Sequence, residues 1–217
     1  MAIKSILSNT EMVRAILDGR KSCTRRLVKP QPDEKHTYPL GFVTDSTEKK
    51  DVGCFGFSIN EYGGSIQYAK PQYQPGDILY VRETWKKAPN GYYYYEDWQR
   101  NDIADVTKWK PSIHMPKEAA RIWLRVTDVR VERLQEITEE QACMEGTDPW
   151  DEACYENNGW HPTFSDPDSG GVPNMIEGFH KLWNSTIKKS DLDRYGWNAS
   201  PWVWVIEFER CEKPKGV

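Results

Sequence analysis

The sequence predicts an α+β fold built as a small, mostly antiparallel β-barrel with helices at its rim and long loop insertions. Strand-like segments follow one another without a regular alternation of helices, which argues against a doubly wound parallel sheet. Three polar stretches, residues 29–50, 86–118 and 147–172, have the composition of loops inserted between such strands. We expect residues 1–217 to form a single domain, since that length suits one large domain better than two small ones.

Three helices are predicted from their start and stop signals. A serine or threonine followed three residues later by glutamate or glutamine forms a capping box, which marks a helix start. Glycine readily takes the left-handed conformation that ends a helix, and proline suits the first turn. The signals are Ser8 with Glu11 and Gly19, Thr138 with Gln141 and Gly146, and Pro173 ahead of a helix that runs to Ile187.

Strands are predicted where β-branched and aromatic residues alternate with polar ones between turn residues. The longest alternation covers residues 121–134, with one break near Asp128 that indicates a bulge or bend. Residues 53–59 and 65–68 flank a Tyr-Gly-Gly turn and indicate a hairpin, whereas residues 33–50 are expected to be a loop. The remaining predicted strands are residues 23–28, 78–85 and 202–209, the last with the pattern of a strand covered on both faces.

Composition and spacing exclude several classes of protein. No apolar run approaches the roughly 20 residues that cross a bilayer, and the first residues lack the long apolar core of a secretory signal. The five cysteines contain no Cys-x-x-Cys pair and the four histidines lie far apart, which argues against a disulfide framework and a metal site. We therefore expect a cytoplasmic, reduced monomer that contacts no membrane and holds no metal or other cofactor.

The octet Gly19–Arg26 is the most informative stretch of the chain. Six basic residues and one acid lie between Arg14 and Lys29, although the whole chain carries a formal net charge of −4. A positive spot on an acidic body indicates a site for an anionic ligand rather than a general polyanion-binding surface. The octet also places Lys21 three residues before Thr24, and a lysine with a hydroxyl can support nucleophilic chemistry.

The octet, the Pro-Gly-Asp turn at residues 75–77 and the final strand together resemble the ASCH group of PUA-like domains, and most closely its prophage-encoded members. The resemblance covers nearly the whole chain apart from parts of the loops. The ASCH signature is Gly-x-Lys-x-x-Glu-x-Arg; Gly19, Lys21 and Arg26 match it, while Thr24 stands in place of the glutamate. The segments that carry the resemblance are residues 16–26, 75–85, 109–116, 134–146 and 201–209.

Relatives with threonine at that position include amidohydrolases that deacylate cytidine acylated on its exocyclic amine, and the resemblance implies their Lys-Thr-Glu triad. Carried over by motif, the catalytic residues are Lys21, Thr24 and Glu145. Thr24 would be the nucleophile, Lys21 its base, and Glu145 a proton donor or a partner that holds Lys21. A base must be unprotonated, and we expect nearby arginines and partial burial to favour that form. The pocket is expected between the first helix, the strand cluster at residues 82–85 and the helix that ends at Glu145.

The same octet also has a purely structural interpretation. Basic residues just past a helix C-terminus are favoured by the helix dipole, by about 0.3–1 kcal/mol each. Thr24 is a good strand residue, and Glu145 suits a solvated helix end. Two other functions stay open beside hydrolysis of an acylated nucleoside. One is a non-catalytic module that binds RNA or modified DNA, and the other, implied by the resemblance, is a ribonuclease.

Substrate-binding residues are predicted in two places. In the octet, Arg20 and Arg26 would bind a nucleoside or a single-stranded nucleic acid. In the second place, Arg82, Glu83 and Trp85 would grip the edge of a base and stack on its face, since base–aromatic stacking is worth about 1–3 kcal/mol. The structural alternative is a core tryptophan beside a glutamate that pairs with an arginine.

Three further groups are expected to have structural roles. Ser112 and His114 lie in a proline-flanked loop with a spacing that is not typical of a catalytic triad, so a structural or lid role is expected. Residues 92–95 are four tyrosines, of which at most half can share one face of a strand. Mixed core and rim packing is therefore favoured over a stacking surface for nucleic acid. His180 is expected to pack on the apolar face of its helix.

Overall fold

The computed structural model describes residues 1–100, 108–147 and 175–216. Within them the chain has a mixed α+β fold with a sheet-rich core and few helices. The strands are β1 (Ile3–Leu7), β2 (Cys23–Leu27), β3 (Tyr38–Phe42), β4 (Phe55–Asn60), β5 (Gly63–Ala69), β6 (Ile78–Arg82), β7 (Trp85–Ala88), β8 (Gly91–Tyr94), β9 (Trp123–Arg133) and β10 (Trp202–Cys211). The α-helices are α1 (Thr10–Leu17), α2 (Tyr95–Arg100), α3 (Glu139–Met144), α4 (Met175–Thr186) and α5 (Leu192–Tyr195).

The described strands form three sheets. A mixed five-stranded sheet has the order β1-β6-β9-β10-β2, in which β1 and β6 run parallel and the other neighbours antiparallel. A second sheet has the order β3-β4-β5, and β7 with β8 forms a hairpin. The closed barrel that the sequence predicts is absent from the described residues. Closure would need both edges of the large sheet to be paired, and β1 and β2 each have a sheet neighbour on one side only.

Three strands, β1, β3 and β8, lie where the sequence predicts none. β1 is held by its long-range parallel pairing with β6, in which Ile3 lies beside Ile78. β3 lies inside the stretch expected to be a loop, and it pairs with β4. Its Pro39 and Gly41 are poor strand formers, so the local sequence does not predict a strand here. The extended conformation of β3 depends on its pairing with β4.

The strand expected over residues 78–85 is two strands. β6 ends at Arg82 and β7 begins at Trp85. Between them the amide of Glu83 lies 3.2 Å from the sulfur of Met115, and the chain leaves the large sheet. The segment that follows was expected to be a loop over residues 86–118, but its described part contains the rest of β7, all of β8 and α2.

The start of α1 differs by one residue from the predicted capping box. Asn9, not Ser8, caps the helix, and its side-chain oxygen accepts a hydrogen bond from the Met12 amide at 2.8 Å. The Ser8 amide instead donates to the carbonyl of Arg82, which ties the residue to the end of β6. Pairing with the sheet therefore displaces the cap by one position.

Other local predictions are confirmed. The box of Thr138 and Gln141 caps α3, and the helix ends before Gly146, which has a left-handed φ of 74°. β9 and β10 shift register where the bend is predicted. β4 and β5 form the predicted hairpin. Pro173 and residues 148–172 lie outside the described residues.

β10 separates two hydrophobic cores. Its even-numbered residues from Trp202 to Phe208 enter a first core with residues of α1, β4, β6 and β9. Val203 and Val205 enter a second core with residues of α3 and α4. β10 therefore has the two covered faces that its sequence predicts. Among the described helices, none combines the length and apolar character that crossing a bilayer requires.

Candidate functional site

The turn after α1 brings the octet to the end of α3. Gly19 ends α1 with a φ of 76°, in the left-handed region that favours glycine. The amides of Arg20 and Lys21 both donate to the carbonyl of Ala15, at 2.9 and 3.0 Å, so the chain reverses tightly. Lys21 then forms a single antiparallel bridge with Glu145. Two residues 124 positions apart in sequence therefore become neighbours.

A buried cluster of charges surrounds the Glu145 carboxylate. Lys21 Nζ donates to Glu145 Oε2 at 2.8 Å and to the Glu145 carbonyl at 2.6 Å. The Arg25 guanidinium lies 3.3 Å from Oε1 and also contacts Glu132 at 3.0 Å and Gln141 at 2.8 Å. Lys21, Arg25 and Glu145 are each at most 5% exposed. Each oxygen of the Glu145 carboxylate thus has a cationic side chain of the protein as its partner. In both of its described contacts the Lys21 amine is the hydrogen-bond donor.

Gly146 allows this close approach of α1 and α3. A Cβ at this position would lie 2.6 Å from the Cβ of Ala15 and 2.8 Å from the Cβ of Lys21. Both distances are far below van der Waals contact, so a side chain here would push the two helix ends apart. Glycine at 146 is therefore a steric requirement of the contact between Lys21 and Glu145.

Thr24 lies on the opposite face of the sheet from this cluster. In the pairing of β2 with β10, Thr24 is directly opposite Ile206, which enters the first core, and Arg25 is opposite Val205, which enters the second. Side chains of directly paired residues share a face. The structure thus brings Lys21 and Glu145 together, and among the described contacts none joins Thr24 to either of them.

Cys23 borders the charge cluster but is not a nucleophile candidate. Its sulfur lies 3.9 Å from the Gln141 carbonyl. Burial, with the nearby Glu145 carboxylate, raises the pKa of the Cys23 thiol to about 12. A thiol reacts as the thiolate, so this one is unreactive near neutral pH. Within the described ranges, no three His, Cys, Asp or Glu side chains are grouped as metal ligands would be.

The four other predicted binding residues outside β2 are dispersed. Arg20 is exposed and lies 3.6 Å from Asp18. Arg82 is half-buried, and its Nε has no hydrogen-bond partner. Glu83 and Trp85 are buried, which agrees with the structural alternative of a core tryptophan beside a glutamate that pairs with an arginine.

The buried carboxylate of Glu83 is paired within the protein. Arg121 Nη2 lies 2.9 Å from its Oε2, and the same guanidinium contacts Asp97 at 2.7 Å. Burial raises the pKa of Glu83 above its ordinary value. Trp85 packs in a separate apolar cluster with Met115 and Trp123. The pair predicted to hold a base therefore contributes to packing beneath the β7–β8 hairpin.

The remaining residues singled out by the sequence also lie in packed or surface positions. Ser112–His114 is a short 3₁₀ turn. The four tyrosines divide between β8 and the start of α2, and the Tyr94 hydroxyl donates to the Ala119 carbonyl at 2.6 Å while Tyr93 is exposed. His180 stacks on Trp197, with ring centroids 5.2 Å apart, which is the predicted packing role.

A cavity of about 210 Å³ opens on the Thr24 face of the sheet. It lies between β2, β9, β10 and the segment after β5, away from the position expected between α1, the Arg82 cluster and the end of α3. Of the predicted site residues, Arg26 lines it. The full lining is Arg26, Leu27, Lys29, Lys70, Pro71, Gln72, Tyr73, Val129, Trp204 and Ile206.

Three cations of the cavity have no acidic partner in the described part of the chain. Among the described residues, no carboxylate lies within ion-pair distance of Arg26, Lys29 or Lys70. The Arg26 guanidinium donates one hydrogen bond, at 3.3 Å, to the carbonyl of Leu7. This differs from the Lys21 cluster, in which the charges are neutralised internally. A half-buried guanidinium without a counterion is suited to binding an anion.

Aromatic side chains form much of the cavity floor. Trp204 is buried and stacks on Phe42 of β3, with ring centroids 6.1 Å apart and planes 24° from parallel. The Tyr73 hydroxyl donates to the Ser5 carbonyl at 2.7 Å, and burial raises the pKa of Tyr73. Sequence reasoning counted Lys29 in the basic group without giving it a binding role, and it missed Lys70, Tyr73 and Trp204 because they come from distant segments that the fold brings together. The basic residues just before Pro30 and Pro71 were the one local signal.

No family model matches the chain, and no curated protein matches it. Two solved structures are similar to it over nearly its whole length. The hypothetical protein PH0355 is 14% identical, with a TM-score of 0.37, and the match covers 97% of this chain and 100% of that one. An ASCH domain from Lactobacillus crispatus JV V101 is 11% identical, with a TM-score of 0.38, and the match covers 96% and 79%.

Proposed function

We propose that the chain is an ASCH-like domain that binds a nucleobase or nucleoside in the cavity beside Arg26. The observation that carries the proposal is a cavity that joins three cations, for which the described residues provide no acidic partner, to a floor of Trp204 and Ile206. The match of Gly19, Lys21 and Arg26 to the ASCH signature supports it from the sequence side. The form of the nucleoside that matches both parts of the cavity is its monophosphate, which joins a flat heterocycle to a phosphate.

The size and charge of the cavity favour a small ligand. Its 210 Å³ is below the roughly 300–1,000 Å³ of sites for drug-sized molecules, so it suits one base rather than a large cofactor. The heterocycle would lie against Trp204 and Ile206, and Arg26 with Lys29 and Lys70 would bind the phosphate. Arginine offers paired donors that match phosphate oxygens, which gives the phosphate a fixed orientation.

Calorimetric titration with cytidine, cytidine monophosphate and N4-acetylcytidine tests this function. Arg26→Gln should weaken binding of the monophosphate by about 10- to 100-fold, the value of a hydrogen bond to a charged group. Arg125→Gln is the matched control, since Arg125 is exposed and lies outside the cavity. Arg20→Gln, at the exposed arginine of the octet that lies outside the cavity lining, should leave the affinity for the monophosphate unchanged. No binding by the wild type, or equal losses in the Arg26 and Arg125 variants, would contradict the proposal.

A second candidate function is hydrolysis of the amide of an acylated cytidine by Lys21, Thr24 and Glu145. The 2.8 Å contact between Lys21 Nζ and Glu145 favours it, because a lysine held beside a carboxylate is the arrangement that the resemblance implies. Hydrolysis would require the Lys21 ammonium first to transfer a proton to the Glu145 carboxylate, so that the neutral amine could then leave Glu145 and accept the Thr24 proton. The base and the nucleophile would therefore have to meet across the strand in the complex with substrate.

Release of cytidine from N4-acetylcytidine, followed by chromatography, tests hydrolysis. Thr24→Val keeps the shape of the side chain and removes the hydroxyl, so it should abolish release, while Thr24→Ser should retain part of the activity. Both variants should keep the wild-type affinity for cytidine monophosphate if they fold normally. A Thr24→Val protein that hydrolyses at the wild-type rate would remove Thr24 from the mechanism.

A further inference from the structure

An aspartate, a histidine and a serine that do not line the cavity are linked by hydrogen bonds. The His36 ring has its Nδ1 2.7 Å from Asp33 Oδ1 and its Nε2 3.0 Å from Ser65 Oγ. Asp33 and His36 belong to the segment before β3, whereas Ser65 belongs to β5, 29 positions after His36. An imidazole between a carboxylate and a serine hydroxyl is the arrangement of a Ser-His-Asp triad, which is recognised by its geometry and not by its sequence positions.

A tight turn and a glutamine fix Asp33 beside the ring. The His36 amide donates to the carbonyl and to Oδ1 of Asp33, each at 3.1 Å, and the Lys35 amide donates to Oδ1 at 2.9 Å. Gln67 forms a reciprocal pair with Asp33, because its Nε2 donates to Oδ2 at 2.7 Å and its Oε1 accepts from the Asp33 amide at 3.0 Å. Both carboxylate oxygens are therefore held, although the side chain is 53% exposed.

The contact with Asp33 decides which ring nitrogen of a neutral His36 carries the proton. The hydrogen bond from His36 lowers the pKa of the Asp33 carboxyl below its ordinary value, so the group is ionised at neutral pH. A carboxylate only accepts hydrogen bonds, so the proton of the neutral ring is on Nδ1. Nε2 is then an acceptor, and the Ser65 hydroxyl donates to it. This is the tautomer in which a histidine takes a proton from a serine.

The histidine is buried, whereas the serine hydroxyl is on an exposed residue. His36 is 7% exposed, and Ser65 belongs to the exposed class. The pairing of β4 with β5 shifts register at this point, so that Ile59 alone lies opposite Gly64 and Ser65. A bulge of this kind re-aims a side chain, and bulges are common beside active sites. A substrate can therefore approach Ser65 while the protein covers most of the imidazole.

We propose that Ser65 and His36, with Asp33 as orienting residue, hydrolyse carboxylic esters through an acyl-serine intermediate. Ser65 Oγ bonds to the carbonyl carbon of the ester as its proton passes to His36 Nε2. The bond from that carbon to the alcohol oxygen then breaks, and Nε2 gives the proton to the leaving alkoxide. Esters are the substrate class because an alkoxide is a better leaving group than the nitrogen of an amide.

Water completes the reaction at the same two atoms. It gives a proton to His36 Nε2 as its oxygen bonds to the acyl carbon, and the bond to Ser65 Oγ breaks as the proton returns to Oγ. One ester and one water become one carboxylic acid and one alcohol, and both residues are restored. Asp33 stabilises the imidazolium that forms in each step, and Gln67 is a positioning residue that acts through Asp33.

A fluorophosphonate probe and p-nitrophenyl acetate, used on the full chain, test the proposal. The probe labels a serine that a neighbouring base activates, so mass spectrometry of the labelled protein should locate it on Ser65. Ser65→Ala should abolish labelling and the continued release of p-nitrophenol. Asp33→Asn puts an amide donor beside Nδ1, which favours the tautomer with the proton on Nε2. It should lower kcat by about 10²- to 10⁴-fold with little change in KM, a split that a role in stability alone would not produce.

Ser190→Ala and His114→Gln are the matched controls. Ser190 is an exposed serine whose Oγ lies 3.3 Å from a carboxylate oxygen of Asp191, and His114 is an exposed imidazole. Both variants should keep wild-type labelling and release, and circular dichroism should show that every variant is folded. An unlabelled Ser65, labelling spread over several serines, or release that persists in Ser65→Ala or is lost in His114→Gln would overturn the proposal. None of these results bears on nucleotide binding in the cavity, which the three residues do not line.

Discussion

Single residues of the octet have different environments although they are adjacent in sequence. Lys21 and Arg25 share one buried carboxylate, whereas Arg26 extends into a cavity and lacks an acidic partner among the described residues. Charges that are neutralised internally hold the fold together, and an unpaired charge in a cavity is available to a ligand. The sequence predicted a basic site here, but only pairing with β10 decides which side of β2 each basic residue faces.

Glu145→Gln should be strongly destabilising. It leaves two buried cations beside a neutral amide, and breaking a buried ion pair by removing one partner costs about 3–5 kcal/mol. Urea unfolding monitored by tryptophan fluorescence gives the change in free energy. Glu209→Gln is the control, since its pair with Arg125 is more than half exposed and should contribute less than about 1 kcal/mol. Equal stability losses in the two variants would show that the Glu145 cluster is not a buried one.

At the scale of elements, the ends of α1 and α3 pack directly against each other. α1 ends shortly before Gly19 and α3 shortly before Gly146, and both glycines have a φ in the left-handed region. They differ in what surrounds them. A Cβ at Gly19 would meet nothing within 4 Å, whereas one at Gly146 would overlap Ala15 and Lys21. The two positions therefore separate the cost of backbone strain from the cost of steric overlap.

Gly146→Ala should be more destabilising than Gly19→Ala. Both variants incur the strain of a left-handed alanine, about 1–2 kcal/mol, and the overlap with Ala15 and Lys21 adds a further few kcal/mol at position 146. Thermal unfolding followed by circular dichroism would rank the two proteins. Equal tolerance of alanine at both positions would contradict the steric overlap at position 146.

β1 depends on a clamp formed by the Pro-Gly-Asp turn. The Asp77 carboxylate accepts hydrogen bonds from the Ala2 amide at 2.9 Å, from Lys4 Nζ at 2.7 Å and from the Gln74 amide at 3.1 Å. Burial by itself would raise the pKa of Asp77, but these hydrogen bonds, that of Lys4 foremost, hold it below the ordinary value. A motif that enters the family resemblance therefore has a structural role, fixing β1 beside β6.

Asp77→Asn should weaken the protein in a pH-dependent way. The folded pKa of Asp77 is depressed, so its contribution is complete above the unfolded pKa of about 4 and is lost as the pH falls through the lower folded value. We expect the variant to be about 1–2 kcal/mol less stable at pH 7 and the difference to shrink below pH 4. Denaturant unfolding at pH 7, 5 and 3 measures it. A difference that stayed constant over this range would exclude the carboxylate as the cause.

Elements with strong local signals could be predicted from the sequence. The structure has four of the predicted short-range patterns. They are the capping box of α3, the β4–β5 hairpin, the apolar–polar alternation of β9 and the pattern of a strand covered on both faces in β10. β1 and β3 could not be predicted, because their conformation depends on partners 75 and 18 positions away, Ile78 for Ile3 and Phe57 for Pro39. The same limit applies to the cavity. Arg26 was predicted from its motif, whereas Lys70 and Trp204 reach it through the β5 and β10 segments.

At the scale of the whole molecule, charge is unevenly distributed. The chain carries a formal net charge of −4, yet the cavity is lined by three cations, and no acid occurs among its lining residues in the described part of the chain. An acidic body repels a long polyanion, while a local group of cations still attracts one or a few phosphates. This distribution favours a ligand with one or a few phosphates over a long polyanion.

The salt dependence of binding to a five-nucleotide single strand that contains one cytidine should be shallow if the cavity is the binding site. Contacts to at most three phosphates on a single strand give a slope of about −2 in log K against log salt concentration. Titrations between 50 and 200 mM salt would measure the slope, with a duplex of the same sequence for comparison and weaker binding expected for it. A slope steeper than about −5 would indicate a phosphate-binding surface much larger than the cavity rim.

The order of strands has a consequence for synthesis of the protein. β10 lies inside the large sheet and comes after all the other described strands in the chain, and β2 joins the sheet only through it. A nascent chain in which β10 has not yet been synthesised therefore has no partner for β2 or for Arg26 on it. Products truncated before Trp202 would lack both this interior strand and the Trp204 side of the cavity, so the cavity can form only after β10 has been made.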